Sequence, residues 1–217
     1  MHTFIKTTLM GVGAAAALTG CAAYKLEPPP GFALVSGGDY EMRMKAQDNV
    51  GLSVRRFDNV KGGTLAYWAS DLVTKLGRRG YVLTGQAAVE AKNGREGTRF
   101  DFDYVLPGTD KAKFYTVSLF VTDKYKVVVQ VAGDKEFAAA YRGRSDEILG
   151  ELKVRGCKAG SKICGSPQPG KLQTPAPLVV PDGPPDVGPG DATGAAGSAA
   201  VPSAVASPAP TPAAPPP

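Results

Sequence analysis

Histidine is nearly missing from this chain: among 217 residues there is one, His2. If the N-terminal leader is removed, none remains. That loss excludes Ser-His-Asp and Cys-His catalysis and takes away the commonest metal ligand. Cysteine is scarce as well, with Cys21, Cys157 and Cys164 too few for a four-cysteine zinc site. Long apolar runs are lacking: the uncharged stretch from Thr7 to Ala17 falls short of the roughly 20 residues needed to span a bilayer. No glycine-rich phosphate loop follows a strand and opens a helix, so no cofactor is expected. Basic residues never form a long run, and no aromatic-plus-basic motif of nucleic-acid readers occurs, so nucleic acid is not an expected partner.

What is present begins with the leader. Lys6 precedes the Ala- and Gly-rich apolar stretch, which ends in Leu18-Thr19-Gly20-Cys21. These parts resemble a bacterial lipoprotein signal with its lipobox. The resemblance implies cleavage before Cys21 and acylation of its sulfur and new amine. Several acyl chains, at about 0.8 kcal/mol per buried methylene, would hold the protein on a lipid bilayer. Ala22, where retained lipoproteins of enteric bacteria carry aspartate, favours the outer membrane under the family's sorting rule. The alternative is an ordinary secretory signal with a coincidental cysteine.

Composition divides the rest. Residues 165–217 hold 15 of the 19 prolines, with no aromatic residue and no amphipathic period. Such a segment buries too little apolar surface to offset its ordering entropy and is expected to be disordered, either as a spacer or as a tolerated low-complexity tail. Residues 21–30, stiffened by Pro28-Pro29-Pro30, read as a tether. Between them residues 31–157 form one globular domain of common size, and residues 158–164 a loop that a Cys157–Cys164 disulfide would clip in an oxidising compartment. Redox chemistry is the rival reading of that pair, since Lys158 and Lys162 could lower a thiol pKa, although the spacing is not Cys-x-x-Cys. Residues 21–164 carry 23 Lys and Arg against 17 Asp and Glu. A cationic face could meet anionic headgroups or another polyanion; the scatter of the basic pairs equally fits a solvated mixed-charge surface.

Alternation at Tyr40, Met42, Met44 and Ala46, and again at Val50, Leu52 and Val54, predicts two strands. Thr64 can cap a helix whose Leu65, Trp68, Ala69, Leu72, Val73 and Leu76 recur at three- and four-residue spacing, ended by Gly77 and Gly80. A strand from Tyr81 to Ala91 leads to Asn93-Gly94, the type I′ hairpin signal, and to Phe100, Phe102 and Tyr104 alternating with Asp101 and Asp103. Phe114 to Val121 and Tyr125 to Val131 read as strands covered on both faces, and Lys135 to Lys153 as a final helix that Gly143 loosens. Short links demand antiparallel neighbours, so the fold class is α+β, an antiparallel β-sheet with packed helices.

That order, with the Val50-Gly51-Leu52-Ser53-Val54 strand, the helix through Trp68 and Leu72 leading to Gly80-Tyr81, the Asn93-Gly94 hairpin, and Gln130-Val131-Ala132-Gly133-Asp134, resembles the PsbP-like domain, which includes the DcrB-type lipoproteins. The resemblance covers Gly31 to about Val154. It implies an α/β/α sandwich and an accessory or assembly role at membrane complexes, and it brings no active-site motif.

Candidate sites are correspondingly few. Asp101 and Asp103 could form a carboxylate dyad or a weak calcium site, against the plainer reading of the solvent side of an amphipathic strand. Ser53 and Ser118 lack partner motifs, and Asp134 reads as a cap or turn residue. Trp68, Phe100 and Tyr104 could line a ligand pocket between sheet and helix, or belong to the core. The expected function is a non-enzymatic, membrane-anchored binding or assembly protein of the bacterial envelope, working with an envelope protein partner and needing no metal; the alternative is a small-ligand or lipid carrier.

Overall fold

The computed structural model describes residues 22–176. The leader with Cys21, and residues 177–217 of the expected tail, lie outside the described residues. Two antiparallel meanders build one seven-stranded sheet. The first comprises β2 (Ala33–Ser36), β3 (Glu41–Lys45) and β4 (Gly51–Asp58), preceded by a short strand β1 (Tyr24–Leu26). Helix α1 (Leu65–Gly77) then crosses to the second meander, β5 (Val82–Ala91), β6 (Arg95–Val105), β7 (Ala112–Val121) and β8 (Tyr125–Asp134). Pairing of β4 with β8 closes the order β2-β3-β4-β8-β7-β6-β5.

Both faces of the sheet are covered, as the α/β/α expectation requires. On one face α1 lays Leu65, Ala69, Val73 and Leu76 against Phe100, Phe102, Val117, Leu119 and Val128. Thr64 caps the helix by accepting a hydrogen bond from the Tyr67 N–H, as expected from the sequence. On the other face lie a 3-10 turn (Lys135–Phe137), α2 (Ala138–Gly143), α3 (Ser145–Gly150) and the pair formed by β1 with β9 (Leu152–Val154). Tyr141, Ile148, Leu149 and Leu152 there meet Val54, Phe114, Val127 and Val129. Alternate valines of β8 therefore serve two cores, at about 1.5–3 kcal/mol for each fully buried side chain.

Several boundaries differ from the sequence reading. The final helix is not continuous: it breaks between Gly143 and Ser145, and Leu152 belongs to a strand. The residues expected as a tether are folded, because Tyr24 and Leu26 are buried and pair with Val154 and Leu152. Three residues with alternating burial were too short a run to stand out beside the prolines. The first residues of the expected tail are also ordered. Residues 163–175 lie across the α1 face, with Ile163 and Leu172 packed on that core. Gln86 donates to the carbonyls of Pro169 and Gly170 and accepts from the Leu172 N–H, so the sheet supplies partners that proline-rich backbone cannot supply for itself. At the β5–β6 hairpin only Gly94 has positive φ, 72°, and Ala91 pairs with Arg95. The connection is a three-residue loop with a left-handed glycine and not the type I′ turn expected.

Candidate functional site

The strand directions give the domain two ends, about 25 Å apart along the eight residues of β4. One end gathers the Asn59–Gly63 loop, the β7–β8 turn, the β5–β6 hairpin and the disulfide loop. The other gathers the β3–β4 turn, residues 29–32 and the α2–α3 break.

At this second, distal end lies a groove of about 630 Å³, lined by Phe32, Lys45, Gln47, Asp48, Tyr141 and Arg144 together with Gly31, Ala33 and Ala46. The β3–β4 turn forms one wall. Its Ala46 N–H donates to the Val50 carbonyl, and Asn49 adopts φ 66°, the sole left-handed non-glycine among the described residues. Tyr141, carried by α2, forms the floor: its hydroxyl donates to Asp48 Oδ1 at 2.7 Å. Burial, then the hydrogen bond to Asp48 and its negative charge, push the phenol up to about 12. Arg144, at the break between α2 and α3, donates to Glu147 and to the Pro30 carbonyl, and its guanidinium lies 5.9 Å from the Phe32 ring centre and 5.8 Å from that of Tyr141. An aromatic floor with a cation and a carboxylate at the rim suits a short segment that has one apolar anchor and polar flanks. Sequence reasoning missed this groove because Phe32, Asp48 and Tyr141 are far apart in the chain and belong to no motif.

The expected site residues are distributed differently. Asp101 is buried, a correction to the solvent-facing reading, because α2 and its arginine cover that side of β6. Thr116 Oγ1 donates to Asp101 at 2.8 Å, and Arg99 and Arg142 stand 3.4 and 3.5 Å from its carboxylate. Asp103 pairs with Arg142 at 3.0 Å and with Lys135. Burial raises the Asp103 pKa, but the hydrogen bonds and charges of Lys135 and Arg142 outweigh it and hold the carboxyl below its ordinary value. The two acids form the centre of an ion-pair cluster that ties α2 to the sheet. A cation at this dyad would have to displace Arg142 and Lys135.

Trp68, Phe100 and Tyr104 share the α1 side of the sheet but have different surroundings. Phe100 is fully buried beneath the helix. The Trp68 indole N–H donates to Asn59 Oδ1 at 2.9 Å, and Lys126 Nζ sits 3.4 Å from its ring centre. Tyr104 stacks on Tyr81 at 4.4 Å, just beyond the helix C-terminus. The space that a carrier would need there is filled by Phe102, Val117 and Leu119. Ser53 donates to Gln130, and Ser118 is buried. Asp134 stands at the N-cap position of the 3-10 turn, as expected, but its side chain makes no capping hydrogen bond and pairs with Lys113 instead. Cys157 and Cys164 are joined in a disulfide with Cα atoms 6.0 Å apart. Cys164 lies beside Asp123, whose carboxylate accepts from the Lys158 N–H and the Ser161 hydroxyl. Those bonds, followed by the Lys158 charge, outweigh desolvation and lower the Asp123 pKa.

No family model and no curated protein sequence matches the chain. Among solved structures, a Bacteroides thetaiotaomicron protein is 11% identical with a TM-score of 0.40, over 64% of this chain and 47% of its own. The chain therefore spans about half the length of that protein. LpqN of Mycobacterium tuberculosis, described as involved in cell envelope biogenesis, is 8% identical with a TM-score of 0.45, over 60% of this chain and 82% of its own. The cyanobacterial PsbP (CyanoP) of Synechocystis sp. PCC 6803 is 13% identical with a TM-score of 0.37, over 68% of this chain and 99% of its own. No helix of the described residues is long and apolar enough to cross a membrane.

Proposed function

We propose that this chain is an acyl-anchored, extracytoplasmic accessory protein of the bacterial envelope, non-enzymatic, which receives a segment of another envelope protein in its distal groove. The observation that supports it most is an alignment of two ends. The Ala23 carbonyl accepts from the Arg155 N–H, and Gly156 packs on Thr122 and Tyr125, so the chain enters the domain at the end opposite the groove. Cys21, two residues before Ala23, would then hold the domain by one end and present the groove away from the bilayer, at the outer membrane if the sorting rule applies. The core beneath α1, filled around Phe100, argues for this reading over a carrier.

A photo-crosslinking residue at Gln47, introduced into the native lipidated protein in intact envelopes, tests the idea. One discrete adduct should form, should be lost when Tyr141 is changed to Ala, and should be absent with the crosslinker at exposed Val105. Equal labelling from Gln47 and Val105 would remove the groove from the proposal. A Cys21→Ala variant that still fractionates wholly with membranes would remove the anchor.

A further inference from the structure

The end of the domain nearest Cys21 carries an unusual combination of side chains. Val60 is 89% exposed at the tip of the Asn59–Gly63 loop, and Tyr67 is 57% exposed on the first turn of α1. Around them stand Lys61 and, from the β7–β8 turn, Lys124; the chain after β9 adds Arg155, Lys158 and Lys162. All five cations are exposed, and none has an ion-pair partner among the described residues. The acids at this end weigh less. Asp123 is turned inward onto the Lys158 N–H and Ser161, leaving Asp39 and Asp58 exposed beside these loops and Glu90 and Glu96 exposed at the flanking β5–β6 hairpin.

These loops are held as one surface. The Asn59 N–H donates to the Lys124 carbonyl, the Asn59 amide to the carbonyls of Gly63 and Thr122, and Arg95 to the Cys164 carbonyl. The Ala23 carbonyl joins the same surface through Arg155. Cys21 stands two positions before Ala23, a reach of about 7 Å. An acyl-held domain with so short a leash keeps this end at headgroup level, where an exposed valine and tyrosine gain from the interface and each nearby cation from anionic lipid.

From this juxtaposition we infer that the end formed by the Asn59–Gly63 loop, the β7–β8 turn and the disulfide loop is a docking surface for an anionic phospholipid bilayer, which fixes the domain upright with its groove outward. The inference rests on the anchoring reading for its orientation, but the surface is testable without the acyl group.

The mature full chain carrying Cys21→Ser, mixed with vesicles of equal phosphatidylglycerol and phosphatidylcholine, should cosediment at low salt and be released at high salt, and should ignore vesicles of phosphatidylcholine alone. Reversing Lys61 and Lys124 to Glu should weaken binding by about thirtyfold or more. Reversing Arg79 and Lys111, at the other end, should leave binding unchanged. Absence of binding to the anionic vesicles, or equal loss from both pairs of reversals, overturns the surface. The acylated protein separates this failure from failure of the anchor. In vesicles with quencher-bearing headgroups, its single tryptophan, Trp68, should be quenched. Membrane-bound protein with unquenched Trp68 refutes the docking surface while leaving the anchor intact, whereas native protein without acyl on Cys21 refutes the anchor and, with it, the upright orientation.

Discussion

Asn93 and Val154 are joined by two hydrogen bonds: Asn93 Nδ2 donates to the Val154 carbonyl at 2.8 Å, and the Val154 N–H donates to Asn93 Oδ1 at 3.0 Å. With the Lys92 N–H donating to the Leu152 carbonyl, the hairpin extends β9 sideways and, through β9, holds β1. Asn93→Ala leaves a backbone donor and acceptor of β9 without partners and should cost about 1–3 kcal/mol in urea unfolding. Asn93→Asp keeps the acceptor and loses the donor, so it should lie between. Faster amide exchange in Tyr24–Leu26 should accompany the loss. Wild-type exchange there in the alanine variant would mean that the hairpin does not support the β1–β9 pair.

The segment across the α1 face, residues 163–175, supplies a second prediction. Leu172 is partly buried on the α1 core, its N–H satisfied by Gln86, while Gln168 accepts from Thr98 at 2.6 Å and Ser166 from the Leu65 N–H. Leu172→Ala should cost about 1–2 kcal/mol, less than the 2–5 of a fully enclosed leucine. A chain ending at Cys164 should lose considerably more than one ending at Ala176, since it strips every one of these contacts. Equal urea midpoints for the two truncations would show that residues 165–176 contribute nothing to the fold.

The disulfide closes a loop of eight residues, for which chain entropy gives about 2–3 kcal/mol. Reduction should lower stability by about that amount and release the Asp123 contacts with Lys158 and Ser161. Thiol titration after mild reductant, paired with thermal unfolding, checks both. An unchanged midpoint on full reduction would mean that native hydrogen bonds hold the loop without the bridge.

What could be read from the chain follows from how local each signal is. Helix α1 was legible because its cap, its apolar spacing and its terminal glycines lie within 17 residues. The strands of the second meander were legible because alternation and turn chemistry are also local. Four things were not. The Tyr24–Leu26 strand owes its existence to a partner more than a hundred residues away. The order of residues 163–175 depends on Gln86 and Thr98, polar residues whose own segment gives no hint of that duty. Asp101 was read as solvent-facing because strand alternation says which residues share a face, but cannot say that a second layer carrying Arg142 covers it. The groove is the extreme case, assembled by the β3–β4 turn, residues 31–33 and the α2–α3 break, each unremarked alone.

Two phenols set the alkaline limit. Burial, and then the neighbouring Tyr81, push Tyr115 up to about 12; burial, and then Asp48, do the same for Tyr141. In the unfolded chain both titrate near 10. Between these values the native protein holds two protons that the unfolded chain has released, so unfolding sheds protons and is favoured by raising the pH. The stability involved is fully present below pH 10 and is lost as the pH rises through 12, with up to about 1.4 kcal/mol per pH unit from each phenol. Urea midpoints measured across this window should therefore fall, and Tyr115→Phe and Tyr141→Phe should each flatten the slope. Absorbance at the phenolate band should show Tyr115 and Tyr141 still protonated above pH 10 and ionising near 12. If Tyr115 or Tyr141 ionises near 10 in the folded protein, burial does not raise that phenol; for Tyr141 this would also mean that its hydrogen bond to Asp48 is not made.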